Sequence, residues 1–174
     1  MTQNDMSKLD TPTAVAFRGS KCEVGELAAD QPASNVHNTI SNYMPHLGMD
    51  EEKLANHLIP PSFTPAPAPA TGTASAQVIY RDQQTPVPLE LAVAFQVAAM
   101  AQYARAQVAS QAGQESPGTE LKLALTVPTH FNARQTAALQ DARHTCSSRK
   151  SVPWHVICVA YVPHICRIWY MCRI

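Results

Sequence analysis

Charge is scarce in this chain and its two signs cancel: charged residues are 15% of 174 positions and the formal net charge is zero. No basic patch stands out, which argues against a nucleic acid or an acidic surface as partner. Aromatic residues are also few, at 6%, against 14 prolines. That balance is unusual for a compact domain, so part of the length is expected to serve as linker rather than core. The opening MTQNDMSKLD contains no apolar run. It predicts a disordered lead-in over residues 1–10, no secretory signal and, by default, a cytoplasmic setting in which the five cysteines are reduced. None of those cysteines forms a C-x-x-C pair.

What the chain does contain is most informative from Leu121 to Ala142, LKLALTVPTHFNARQTAALQDA. Leu121, Leu123, Leu125 and Val127 alternate with Lys122, Ala124 and Thr126, which predicts a strand with four apolar side chains on one face. Pro128 ends it, having no amide hydrogen to donate. Asn132 is a good N-cap, and Gln135 can reach back to its amide, so a helix is expected through Ala137, Ala138, Leu139 and Ala142.

Upstream, Thr13 to Phe17 has the residues and length of a strand. Asp50 to Leu58 predicts a short helix capped by Asp50 with acids in its first turn, stopped by Pro60 and Pro61. Residues 60–76, PPSFTPAPAPATGTASA, read as an extended linker with almost nothing to bury. Gln77 to Tyr80 predicts a brief strand and Arg81 to Thr85 a polar turn. Pro86-Val87-Pro88 then leads into a long helix from Leu89 to Ser110, whose stripe Val93, Val97, Met100, Ala101, Ala104 and Val108 falls at helical spacing. Gly113 and Ser116-Pro117-Gly118 close it.

The words V-P-T-H-F-N-A-R-Q-T-A-A-L-Q-D-A resemble the strand-turn-helix segment of the heat shock protein 70 family, the DnaK-type chaperones, close to V-P-A-Y-F-N-D-x-Q-R-x-A-x-x-D-A. Val127, Pro128, Phe131, Asn132, Gln135, Ala138, Asp141 and Ala142 fit. Thr11-Pro12-Thr13-Ala14-Val15-Ala16-Phe17 is similar to that family's T-P-S-Y-V-A-F, and Val24-Gly25 onward to its I-G-x-x-A-x-x-Q. Asn38-Thr39-Ile40 and Leu47-Gly48 fit the ends of N-T-V-x-x-x-K-R-L-I-G. The resemblance runs from Thr11 to Ala142 with a gap in the Pro/Ala stretch.

It implies an α/β fold, a fragment of lobe I of an actin-like (ribonuclease H-like) ATPase domain, with ATP and magnesium as family cofactors and ATP-dependent protein folding as family role. Chaperones or co-chaperones are the implied partners. The family's cleft lysine falls at Met44, whose thioether has no positive charge to offset a phosphoryl group, and Pro45 would break the helix that presents it. Tyr43, Met44 and Leu47 are therefore read as packing residues in an irregular turn. Pro128 matches a proline that in intact relatives relays nucleotide state, while the family's neighbouring arginine is Thr136 here, with Arg134 displaced. Neither the family's glycine-rich phosphate loops nor its second lobe is recognised, so the chain is expected to lack ATP hydrolysis and peptide binding and to be a partly ordered fragment. The alternative is a non-enzymatic interaction protein that docks on another chaperone through its long helix or its tail.

After Ala142 the register is lost, and residues 143–174 are expected to be an unrelated Cys/Trp-rich tail, from a frame change, altered splicing or a misassigned gene end. Metal binding by His155, Cys158, His164 and Cys166 does not fit a familiar spacing. The charge-free run from Ser151 to Cys166 is short for a bilayer span and carries Pro153 and Pro163. Nothing marks a catalytic cysteine.

Overall fold

The computed structural model describes residues 3–4, 6–67, 73–112 and 125–147. The alternation at the start of the chain produces β1 (Ala14–Arg18), which turns through Gly19, at φ 58°, into β2 (Lys21–Val24). β3 (Thr39–Ser41) pairs on the other side of β1, so an antiparallel sheet of order β2-β1-β3 forms. Val15 and Phe17 face the main core, while Ala14 and Ala16 meet Ala28 of α1 (Glu26–Ala29) behind the sheet. Burial on both faces explains why β1 is apolar at every interior position instead of alternating. α2 (Pro32–Asn35) follows, and Asn35 donates from Nδ2 to the Phe17 carbonyl at 2.9 Å.

After α3 (Glu51–Ala55) comes a second antiparallel sheet, β4 (Pro65–Ala66), β5 (Ser75–Tyr80) and β6 (Gln83–Pro88), in the order β4-β5-β6. Two expectations are corrected here. Arg81 to Thr85 is not all turn: Arg81 and Asp82, at φ 52° and 60°, close a two-residue hairpin, and Gln83 onward pairs with β5 from Tyr80↔Gln83 to Ser75↔Pro88. Positive φ at both central residues gives the twist that a tight hairpin requires. Pro86-Val87-Pro88 does lead straight into a helix at Leu89, but as the end of β6, and its prolines are tolerated because β6 lies at the edge of the sheet among the described strands.

The Pro/Ala stretch also buries more than expected. Phe63, Ala66, Ala74 and Ala76 are all buried, because β4 and β5 draw both flanks into the sheet. Residues 68–72 lie outside the described residues. The described part of the lead-in is likewise tied down: Asn4 Oδ1 accepts from the amides of Met6 and Lys8, and Lys8 pairs with Glu26 at 3.1 Å.

α4 (Leu89–Ala112) buries Val93, Val97, Met100, Ala101 and Ala104, as their spacing requires, while Val108, the last of the predicted stripe, is only half-buried; α5 (Ala133–Ser147) packs beside it. Of the predicted strand from Leu121 to Val127, residues 121–124 lie outside the described residues. Leu125 to Val127 is described and pairs with no described strand, although Leu125 is buried in the core and Val127 packs against it. One apolar cluster spans both sheets and α3, α4 and α5, with Ile40, Tyr43, Leu47 and Leu89 fully enclosed.

Candidate functional site

The two positions singled out by resemblance, Met44 and Pro128, belong to segments that meet at one corner of the molecule. On the first segment, Asn42 turns the chain out of β3 in a left-handed conformation, φ 48°. Tyr43 then dives into the core and donates its hydroxyl to the Ala92 carbonyl of α4 at 3.4 Å. Met44–His46 forms a single 3₁₀ turn in which Pro45, near the start, needs no amide partner. Leu47 is fully buried, and Gly48 at φ 68° redirects the chain into Asp50, whose side chain caps α3 by accepting from the Lys53 amide at 2.9 Å. The expected packing role of Tyr43, Met44 and Leu47 is what the turn displays, with Met44 half-buried against the core.

On the second segment, the Pro128 carbonyl accepts from the Phe131 amide at 3.0 Å, which makes the turn into α5. The capping box forms as its residues predict: Asn132 Oδ1 accepts from the Gln135 amide at 2.9 Å and Gln135 Oε1 from the Asn132 amide at 3.0 Å. Gln135 has a second task, because its Nε2 donates to the Pro45 carbonyl at 3.3 Å. Arg134 reaches Asp50 at 3.2 Å, beside the Lys53–Asp50 pair at 2.8 Å. The Lys53 side chain and amide, with Arg134 adding to them, hold the Asp50 carboxyl below its ordinary value.

A test follows from this joint. Asn132→Ala should cost about 1 kcal/mol, the usual loss for an N-cap. Gln135→Ala should cost more, since it removes the reciprocal cap and the tie to Pro45 together; urea midpoints of the two variants will rank them.

Chemically, the corner is a structural joint. Its cations, Lys53 and Arg134, are both engaged by Asp50, and the side chain at the lysine position is an uncharged thioether. These residues do not fit a triphosphate, which needs positive charge aimed at its developing negative oxygens. Thr136, at the family's arginine position, donates its hydroxyl back to the Asn132 carbonyl at 3.1 Å within the helix. The free Cys22 on β2 has its thiol pushed up to about 11 by partial desolvation and by Glu23, so it is protonated at neutral pH and a poor nucleophile. Sequence reading missed His46, which is enclosed completely. The signal was available: the family pattern has leucine at that place.

His155, Cys158, His164 and Cys166 lie outside the described residues, as does the run from Ser151 to Cys166. Among the described residues no group of three or more His, Cys, Asp or Glu is placed to hold a metal, and no helix is long and apolar enough to cross a membrane.

A family model described as Hsp70 protein matches residues 1–146. The match starts ahead of Thr11 and ends just past Ala142, where the pattern breaks off in the sequence. Among curated proteins none matches the chain.

Proposed function

We infer function from the premise that this chain belongs to the Hsp70 family, whose model spans most of its length. Membership makes it a chaperone-family protein, and its mixed α/β architecture of two small antiparallel sheets with helices is consistent with a fragment of the actin-like ATPase domain. Within that family we read it as a chain that neither hydrolyses ATP nor holds a peptide substrate.

One observation carries this reading. Where the family pattern has the lysine that assists the attacking water, this chain has Met44, half-buried, in a turn that Pro45 and the Gln135 tie fix in place. Positioning and charge are nearly all that a protein contributes to phosphoryl transfer, so an apolar group here removes a principal contribution. Pro128 keeps its turn-forming place, and we read it as a joint retained for architecture rather than for relaying nucleotide state. Calorimetry of the full chain with ATP and magnesium should give no saturable heat, and a parallel assay no phosphate release. Saturable binding accompanied by turnover would overturn the reading.

Partners of chaperone or co-chaperone type and a cytoplasmic setting fit the family, and we carry both as parts of the same proposal. Docking through the long helix has less support, because the apolar stripe of α4 is covered by the chain's own core.

A further inference from the structure

His46 is at 0% exposure, and among the described residues neither ring nitrogen has a hydrogen-bond partner. Buried polar atoms are nearly always paired, so an imidazole left without partners calls for a physical account. Its surroundings are aromatic. The His57 ring, just past α3, meets it edge-on with centroids 5.0 Å apart, and Phe63 does the same at 5.9 Å. These contacts hold the Met44–His46 turn against the chain that follows α3.

The charges around it cannot host an imidazolium. From the α3 side the titratable group facing it is His57, which would oppose a positive charge. Phe63, on the loop after α3, is neutral, and so is Gln135, the α5 residue bonded to the turn. Asp50 is already shared by Lys53 and Arg134. No carboxylate among the described residues pairs with the His46 ring.

We propose that His46 is an acid-sensitive latch: as a neutral ring it holds the Met44–Phe63 segment closed on the core, and when a ring nitrogen takes a proton from solvent the segment is released. The closed state admits the neutral ring at the cost of two unpaired atoms, whereas a cation there would be both desolvated and repelled. Burial first, and His57 second, push the pKa of His46 below its ordinary value. The closed form's advantage is therefore present in full above the ordinary imidazole value, about 6.5, and is lost as pH falls below it toward the depressed value. Because Gln135 bonds the Pro45 carbonyl, release also removes one restraint on the first turn of α5.

Amide hydrogen exchange on the full chain tests the latch. Between about pH 7.5 and about pH 5.5, after correction for intrinsic exchange, opening of residues 43–67 should rise by up to about tenfold, as uptake of one proton on an ordinary imidazole requires. The β1–β2 hairpin serves as the internal reference and should change less. His46→Leu should abolish the excess. Should that variant not fold, the ring resonances of His46 in the unaltered chain give a second readout, expected to titrate below the ordinary value in step with the exchange. An excess that persists in His46→Leu, equal opening in both segments, or a ring titrating at or above the ordinary value would overturn the proposal.

Discussion

Replacing Gly48 with alanine is expected to destabilise the chain by roughly 2–5 kcal/mol, combining the strain of a left-handed residue with overpacking. A methyl group at this position would sit 2.8 Å from the Arg134 carbonyl oxygen and 3.1 Å from the Gln135 Cα, both backbone atoms of the first turn of α5. Rigid backbone cannot step aside as a flexible side chain can. Gly19 supplies the control, since it too has positive φ, 58°, but nothing lies within 4 Å of its would-be methyl. Gly19→Ala should therefore cost only about 1 kcal/mol. Urea midpoints measured side by side will separate the two terms; equal losses would show that conformation alone, and not the close approach to α5, makes Gly48 necessary.

Tyr43→Ala should cost about 3–5 kcal/mol, the range for deleting an enclosed aromatic ring. Tyr43 is at 0% exposure, at the point where the chain leaving β3 crosses beneath α4. Its ring joins the first sheet to the long helix, so the loss falls on the packing between them. Tyr43→Phe keeps that packing and gives up the 3.4 Å bond to the Ala92 carbonyl. So long a bond is weak, and the phenylalanine variant should lose less than the alanine one. If both variants lose the same amount, the hydroxyl rather than the ring holds the crossing.

These two residues also mark where the sequence speaks and where it falls silent. The capping box of Asn132 and Gln135, the Asp50 cap and the stripe of α4 were all readable, since each rests on partners a few positions apart in the chain. The β5–β6 hairpin was not, because Arg81-Asp82 is not the Asn-Gly or Asp-Gly pair that announces such a turn, and two prolines disguise β6 as a helix entrance. Leu121 to Val127 alternates well enough to suggest a strand, yet pairing depends on what lies alongside, and Leu125 to Val127 belongs to neither described sheet.

The corner itself was half legible. Met44 and Pro128 could be singled out from the pattern of letters, but nothing in either word announces that Gln135 would bond the Pro45 carbonyl across 90 positions. Gly48 carried the plainest hint, a glycine kept beside Leu47, although its reason, the passage of α5 overhead, is a tertiary fact.

The prolines of β6 have an effect beyond local geometry. Leu89 donates to the Ala74 carbonyl just past the paired stretch, which places Pro86 and Pro88 where their nitrogens point away from β5. That outer margin offers no amide hydrogen at two successive outward positions, which leaves Gln84 as its one outward donor, so a stray strand from another molecule finds an incomplete ladder there. β2, at the border of the other sheet, has no proline in Lys21–Val24. Recruitment of a foreign strand, if the chain is concentrated, should consequently favour β2 over the proline-lined margin of β6.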